Sequence, residues 1–331
     1  MRADGAMARV VAGSVLAMIA LVAALAPWAA PHGARETFRD HPYSPPTRVR
    51  VFDDNGRLRA PFFYPQALTD RLEGRYEERR QEPVTLEWFG RGRLVQEPEG
   101  APPFLAAGAD RSGRDVFARL VWGARASLGV GLAAVSLAAI IGLLVGGVAG
   151  AHGGWLDAVV MRLADVAAVL PAIYVVVVLR SALPLVLPAT TTVALLIVIL
   201  GVVASPWVAR GVRAIVAAER AAAHVEAARA LGASGWRVLT RHLLPSTRGY
   251  VLTQMLVLFP ALVVAEATLS FVGLGLPDTV PSWGTALQEA ANITAIEYYP
   301  WLLLPALALF VVTWCVNTLI AETPYSQARR P

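Results

Sequence analysis

Residues 126–150 decide the fold of this chain, and they read ASLGVGLAAVSLAAIIGLLVGGVAG. The stretch has no charged side chain, and it is long enough to cross a membrane because about 20 helical residues span the hydrocarbon of a bilayer. Further apolar runs of this kind lie on both sides of it. The predicted helices are residues 10–30, 126–150, 161–183, 190–209, 251–272 and 301–320. We therefore predict an all-α membrane protein with about six transmembrane helices.

The composition agrees with a membrane protein and argues against several kinds of chemistry. Of the 331 residues, 56% are hydrophobic and 16% are charged, whereas soluble domains carry about 25% charged residues. Every basic residue is arginine. Because a Walker-type phosphate loop needs a lysine, we expect no ATP hydrolysis by this chain, and we predict no catalytic residue in it. Cys315 is the single cysteine and the histidines are scattered, so no disulfide and no metal site are predicted.

Arginine placement predicts the side of the membrane on which each loop lies, because positively charged loops stay in the cytoplasm. Seven arginines and only two glutamates lie between Arg210 and Arg248, which predicts a cytoplasmic segment. The connection after residue 272 carries acidic residues and no basic residue, so it is expected to face outward. Both termini are then cytoplasmic in a bacterial inner membrane, and residues 32–107 are periplasmic. The net charge of +5 follows this topology and does not indicate nucleic-acid binding.

Residues 32–107 differ from the rest of the chain, with acidic residues and arginines interleaved among many prolines. The predicted local structures are a hairpin of residues 47–52 and 57–64 around Asn55-Gly56, a charged helix over residues 66–81, and a hairpin over residues 84–95 around Gly90 and Gly92. We expect a small insert of mixed or β character. The apolar run before it is either a cleaved signal peptide or an uncleaved anchor, and Pro27 favours the anchor.

The predicted cytoplasmic segment contains VEAARALGAS at residues 225–234 and RHLLP at residues 241–245. Its alanine-rich part favours a helix, Gly232 can end that helix in a left-handed conformation, and Ser234 can cap a second helix. The sequence therefore predicts a short helix–turn–helix. Its alanine side chains leave a narrow surface that can lie in a groove of another protein, and Glu226 offers a carboxylate to a partner cation.

This segment resembles the EAA loop that binding-protein-dependent ABC permeases insert into their ATPase subunits. The resemblance implies a coupling loop at residues 211–248, which transmits closure of the ATPase dimer to the membrane helices. It assigns coupling roles to Glu226, Ala227, Ala228, Leu231, Gly232, Leu244 and Pro245. His242 stands where the general pattern commonly has isoleucine, and the run from His242 to Pro245 is similar to the peptide branch of the family.

Other stretches agree with that branch over roughly residues 108–322. They are GRDVFAR at 113–119, GARASL at 123–128, EATLSFVGLGL at 266–276 and PSWG at 281–284. Together they are similar to the C-type permeases of dipeptide and oligopeptide importers. We accordingly divide the chain into an N-terminal anchor helix (1–31), a periplasmic insert (32–107), an importer transmembrane domain (108–322) and a cytoplasmic tail (323–331).

The resemblance implies that the chain is one permease of an ATP-driven importer of peptides. Its expected partners are a homologous permease in a heterodimer, two ABC ATPase subunits that bind ATP and magnesium, a periplasmic solute-binding protein and membrane lipid. No cofactor is expected on this chain. Dipeptides, oligopeptides, opines and nickel remain open as the substrate. The alternative is an ion-coupled secondary transporter that acts without an ATPase, which the near absence of ionisable groups at mid-membrane disfavours. The hypothesis of a membrane-embedded hydrolase is weaker still, because the sequence shows no paired nucleophile and base and no set of metal ligands.

Three residues near the outer side are candidates for lining the pathway or packing the helices, namely Glu266, Ser270 and Trp283. A carboxylate in a membrane helix is a functional candidate, but Glu266 lies toward the outer end of its helix, where a structural role is as well supported. Trp283 is predicted to belong to an aromatic belt at the interface. Asp165 and Arg180 lie near opposite ends of the predicted helix over residues 161–183, and they are predicted to anchor it at the two interfaces.

Gly142, Gly146 and Gly150 fall at a spacing that brings small residues to one face of a helix. Such a face favours close packing of two helices, and we predict that it packs against a second permease chain.

Overall fold

The computed structural model describes residues 2–52, 56–70, 74–181 and 187–321. Its α-helices are α1 (Arg2–Ala24), α2 (Ala26–Ala29), α3 (Val116–His152), α4 (Gly154–Val169), α5 (Ala172–Ser181), α6 (Ala189–Glu219), α7 (Ala223–Ala230), α8 (Gly235–Val238), α9 (Arg248–Phe271), α10 (Trp283–Leu287), α11 (Ile293–Tyr298) and α12 (Leu304–Ala321). The strands between α2 and α3 are β1 (Arg50–Phe52), β2 (Leu58–Phe63), β3 (Gln66–Asp70), β4 (Arg75–Glu78), β5 (Val84–Thr85), β6 (Glu87–Trp88) and β7 (Val95–Gln96). The predicted tail, 323–331, lies outside the described residues.

Five helical stretches among the described residues are long and apolar enough to cross a membrane. They are Ala6–Ala24, Val116–His152, Ala189–Glu219, Gly235–Phe271 and Pro300–Ala321. Each overlaps one of the helices predicted from apolar length. The prediction of an all-α membrane protein is therefore confirmed.

The predicted helix over residues 161–183 is not continuous in the structure. α4 ends at Val169, and α5 begins at Ala172. Pro171 lacks a backbone N–H and disfavours helical geometry in the residue before it, and Leu170 accordingly takes an extended conformation with φ −71° and ψ 117°. The prediction of one unbroken helix is wrong because apolar length alone does not register this proline. Its last two residues lie outside the described part of the chain.

The segment between α2 and α3 contains short antiparallel strands, which agrees with the predicted β character of the insert. β1 pairs with β2, where Phe52 lies opposite Leu58, and β5 pairs with the other edge of β2. β6 and β7 form the predicted second hairpin, with Trp88 opposite Val95. The predicted turn residue Asn55 lies outside the described residues.

The charged helix predicted over residues 66–81 is wrong. β3 and β4 pair in antiparallel fashion there, with Leu68 opposite Tyr76. Contacts with distant parts of the chain hold these strands, since the Tyr76 hydroxyl donates a 2.7 Å hydrogen bond to the Pro42 carbonyl and Arg50 pairs with Glu78 at 2.8 Å. Such contacts outweigh helix propensity, which is a weak local preference.

The chain divides into two compact units, each described by itself. The first comprises the described parts of Met1–Gly13, Leu128–Leu269 and Thr313–Pro331, and the second comprises those of Ser14–Ser127 and Ser270–Val312. In the second unit, α2 packs on the start of α3 through Ala26, Ala30, Ala118 and Val121. The strands of that unit are supported by Phe63, Leu86 and Phe104.

A core cluster of the first unit joins α3, α6, α9 and the segment between α6 and α9. Its buried members are Ala139, Val208, Val212, Val216, Val225, Val238, Leu239, Leu243 and Val251. The segment between α6 and α9 is therefore part of this core.

Gly142, Gly146 and Gly150, which we call the glycine seam, lie against α6 of the same chain. A Cβ added at Gly142 would lie 2.5 Å from the Cβ of Val208, and one at Gly150 would lie 2.7 Å from the Arg213 carbonyl oxygen. A Cβ at Gly146 would overlap the carbonyl of Ala209. The glycines permit close backbone approach within one chain, so the prediction that they pack against a second permease is wrong.

Candidate functional site

The segment between α6 and α9, which we call the coupling segment (residues 220–247), has the predicted helix–turn–helix. α7 ends at Ala230, and Gly232 follows with φ +81°, a left-handed conformation that strains other residues. The Ser234 side chain then caps α8 by accepting a 3.4 Å hydrogen bond from the Arg237 amide. A π-helical turn and a 3₁₀ turn continue from α8 into α9.

One side of the coupling segment is buried in the core of the first unit. Val225 of α7 and Leu243 are almost fully inaccessible, and they pack in one cluster with Val212 and Val216 of α6. Leu244 packs against the same cluster and contacts α3 at Gly147. The segment is therefore attached to three long helices through apolar contacts.

The other side of the coupling segment is exposed. Glu226, Ala227, Leu231 and Gly232 are exposed, and Leu231 keeps 89% of its surface accessible. Ala228 is half-buried. Of the seven residues predicted for coupling, these five lie on α7 or at the turn that follows it.

Leu244 and Pro245, the two remaining predicted coupling residues, are half-buried in the 3₁₀ turn before α9. With Leu143 of α3 and Leu252 of α9 they line an apolar cavity of about 450 Å³. Their position fits a role in holding the segment against the helices.

The structure adds Trp236 to the exposed side, a residue that the sequence analysis missed. It lies at the start of α8 and is 67% exposed. Arg229, Arg237 and Arg241 are exposed on the same segment. An aromatic residue among small and cationic ones was the available signal, since exposed Trp and Arg together are typical of a protein-binding surface.

Salt bridges hold α4 to α6 next to this segment. Arg213 donates hydrogen bonds to the Asp157 carboxylate, with Nε lying 2.8 Å from Oδ1, and these bonds hold the pKa of Asp157 below its usual value. Asp165 pairs with Arg210 at 3.3 Å. Arg220 donates to the His152 carbonyl at 3.1 Å. Several of the arginines that predicted the side of the membrane thus also hold helices together.

Glu266, Ser270 and Trp283 are fully or almost fully buried. The Trp283 ring nitrogen donates a 3.0 Å hydrogen bond to the Leu120 carbonyl, and its amide donates to the Ser127 hydroxyl at 3.1 Å. The structure therefore places this ring inside the protein, and its prediction as a belt residue at the membrane interface is wrong. Its contacts favour a packing role over a pathway role.

Ser270 also takes part in local structure. Its hydroxyl accepts a 3.0 Å hydrogen bond from the Leu276 amide, and its carbonyl accepts a 2.7 Å bond from the Gln288 side chain. Both contacts fix the connection that follows α9. Ser270 thus orders the backbone after the helix.

A charged network lies at the start of α3 in the second unit. Arg119 contacts Asp110 at 3.4 Å and Asp278 at 3.3 Å, and Arg114 contacts Glu289 at 3.5 Å. Burial would raise the pKa of the Asp278 carboxyl, but the hydrogen bond from Arg114 and the charge of Arg119 hold that pKa below its usual value. The network borders a polar cavity of about 380 Å³.

His32 forms a buried ion triad in the same unit. Its Nδ1 lies 2.8 Å from Oδ2 of Asp115, and its Nε2 lies 3.1 Å from Oε1 of Glu97. Burial disfavours the charged imidazole, but the two carboxylates outweigh that effect and raise the pKa of His32 to about 9. Asp115 also accepts a 2.8 Å hydrogen bond from the Phe117 amide at the start of α3. No group of three or more His, Cys, Asp or Glu among the described residues is placed to hold a metal ion.

Comparison with known proteins agrees with this architecture. A family model described as "Binding-protein-dependent transport system inner membrane component" matches residues 142–321, which include the coupling segment. The oligopeptide transport system permease protein OppC of Bacillus subtilis is 36% identical over 59% of this chain and 61% of its own length. The dipeptide transport system permease protein DppC of the same organism is 35% identical over 64% of each chain.

The glutathione transport system permease protein GsiD of Pectobacterium atrosepticum is 31% identical over 70% of this chain and 74% of its own length. The first two relatives are matched over less than two thirds of their lengths. The region that they share with this chain is therefore only part of each protein.

Proposed function

Because this chain belongs to the family of binding-protein-dependent transport system inner membrane components, we propose that it is one permease of an ATP-driven importer. It pairs with a homologous permease, and the translocation pathway lies between the two. The chain carries out no bond chemistry. ATP and magnesium bind to two separate ATPase subunits.

The observation that carries this proposal is the two-sided construction of the coupling segment. Val225 and Leu243 bury one side in the core, while Leu231 and Trp236 expose large apolar surfaces on the other. Exposed leucine and tryptophan next to cations form the kind of patch that marks an interface with a partner protein. We assign this patch to the ATPase subunits.

The attachment of the segment explains how force on the patch reaches the membrane helices. A displacement of α7 would act on α6 through the buried cluster that Val225 shares with Val212 and Val216, because packed cores transmit strain. The same displacement acts on α9, which continues directly from the 3₁₀ turn at Leu244–Thr247. Closure of an ATPase dimer would thus move two spanning helices together.

The substrate class follows from the relatives. OppC, DppC and GsiD are named for oligopeptide, dipeptide and glutathione transport. We propose that this chain conducts a peptide, delivered by a periplasmic solute-binding protein. The arginine distribution supports a bacterial inner-membrane location with both termini and the coupling segment in the cytoplasm, and with the strands of the insert outside.

Reconstitution of the importer tests the coupling assignment. The complex with its permease partner, ATPases and binding protein is placed in vesicles, and ATP hydrolysis and peptide uptake are measured together. Leu231→Ser and Trp236→Ala should each weaken ATPase docking, because truncating a central tryptophan of an interface costs about 2 kcal/mol, or about 30-fold in affinity. Trp155→Ala is the matched control, since Trp155 is also exposed but lies outside the coupling segment.

Two results would refute the proposal. Normal docking and uptake in both coupling variants would remove the assignment of the patch to the ATPases. Peptide uptake by the chain alone, driven by an ion gradient without ATPase subunits, would instead favour a secondary transporter.

A further inference from the structure

An exposed apolar stripe runs along the second half of α1 and continues into α2. Met18, Leu21, Leu25 and Trp28 are all exposed, and their spacing places them on one side of the helix. α1 is itself long and apolar enough to cross a membrane. The stripe is therefore a surface that lipid would cover.

The β6–β7 hairpin is attached at the end of this stripe. The Leu94 amide donates a 2.8 Å hydrogen bond to the Trp28 carbonyl, and the Arg93 guanidinium donates to the Pro31 carbonyl. The Phe89 ring lies 5.9 Å from the Trp28 ring, centroid to centroid. These contacts fix the hairpin at the point where the chain leaves the first membrane helix.

The tip of this hairpin carries two aromatic side chains that are exposed on the protein surface. Trp88 is 52% exposed, and Phe89 is 67% exposed. Phe89 has φ +56° and Arg91 has φ +43°, left-handed values that are strained for a residue with a side chain. The backbone is thus held in a strained turn, and the described parts of the chain leave more than half of each aromatic side chain exposed.

The location of the tip matches the interfacial layer of a bilayer. Trp28 lies four residues beyond Ala24, the end of the candidate span, a distance of about 6 Å at the rise of a helix. The headgroup layer is about 5–7 Å deep on each side of the hydrocarbon. Trp28 and the neighbouring Phe89 ring therefore fall in the layer where aromatic rings are enriched, and the exposed Arg91 beside them suits lipid phosphate.

We propose that the hairpin tip, residues 88–91, inserts the side chains of Trp88 and Phe89 into the outer headgroup layer of the membrane beside α1. The occupant of this surface is lipid, because the aromatic tip is continuous with the lipid-facing stripe of α1. The insert thereby gains a third membrane contact besides the chain connections at its two ends. This inference does not depend on the substrate or on the coupling assignment.

Site-directed spin labelling of the full chain tests the proposal. Cys315→Ala removes the single native cysteine, and a nitroxide is attached in turn to Trp88→Cys and Phe89→Cys. The protein is placed in nanodiscs of phosphatidylethanolamine and phosphatidylglycerol, and collision with oxygen is compared with collision with a water-soluble nickel chelate. Leu21→Cys gives the lipid reference, and Leu58→Cys gives the control, since Leu58 is an exposed apolar residue of the insert away from this hairpin.

Insertion predicts an oxygen-to-nickel accessibility ratio at positions 88 and 89 that is several-fold higher than at position 58 and approaches that at position 21. A ratio equal to that at position 58 would overturn the proposal, because the tip would then lie in water. Low accessibility to both reagents would also overturn it, because a protein would then cover the tip. Measuring accessibility for the chain alone and for the chain paired with its partner permease shows whether the covering protein is the partner or a second copy. Either labelled position alone suffices for the test if the other variant fails to fold.

Discussion

Replacing Gly232 should uncouple the importer through backbone strain alone. Gly232 has φ +81°, and a Cβ added there would meet no atom within 4 Å. The cost of Gly232→Ala is therefore that of forcing an L-residue into the left-handed region, about 1–2 kcal/mol. That cost reduces the population of the native turn by about 5- to 30-fold relative to competing loop conformations.

A substitution series separates this strain from other effects. Asparagine tolerates the left-handed conformation, so Gly232→Asn should keep most of the function, whereas the branched side chain of Gly232→Val should be worse than alanine. Gly235→Ala is the matched control, because Gly235 also has open space around its Cβ and no positive φ. In that first turn of α8, alanine should be neutral or stabilising.

Two measurements report on the turn. Hydrogen exchange of the α7 amides should accelerate in the order Asn, Ala, Val, and the stimulation of ATPase activity by the loaded binding protein should fall in the same order. Membrane insertion should be unchanged. Backbone strain at Gly232 is refuted if Gly232→Ala behaves like Gly235→Ala, or if asparagine is no better than valine.

Three further predictions concern stability. His32 has a folded-state pKa of about 9 against 6.5 for the free side chain. Its contribution of about 3 kcal/mol to the free energy of unfolding should therefore be fully present below pH 6.5 and lost as the pH rises through 9. His32→Gln should remove this pH dependence from the melting temperature. Gly146→Ala should destabilise the protein by about 1–3 kcal/mol in detergent unfolding, because the added Cβ would overlap α6. Gly129→Ala is the control, because a Cβ there would meet open space. Equal effects of the two substitutions would contradict the close packing of the glycine seam on α6. Trp283→Phe should cost about 1 kcal/mol or more by removing the hydrogen bond from the ring nitrogen to the Leu120 carbonyl and part of a buried ring, and an unchanged melting temperature would argue against that hydrogen bond.

Much of this architecture follows from the sequence because its signals are physically strong and local. An uncharged run as long as 126–150 can be satisfied only in a membrane or a large core. Gly232 marks a turn because alanine-rich helix on one side and a capping serine on the other leave the chain few alternatives.

The remaining features depend on contacts between distant residues. The paired strands β3 and β4 form where local propensity favours a helix, and the Tyr76 hydroxyl donates a hydrogen bond to the Pro42 carbonyl. The position of Trp283 near the end of a predicted helix suggested an interfacial residue. Its hydrogen bond to the Leu120 carbonyl depends on the tertiary fold, which brings two distant parts of the chain together. Trp236 carried a readable signal, an aromatic side chain in a polar segment, but the family pattern gives it no weight.

The glycine seam on α3 separates the residues that make the chain fold from those available for assembly. The side of α3 that bears Gly142, Gly146 and Gly150 is occupied by α6, and no bulkier residue fits there. Ile140 and Leu144 of the same helix remain exposed. Substitutions at these two exposed positions can alter the outer surface of α3 while its packing on α6 stays intact, so that surface can evolve at little risk to folding.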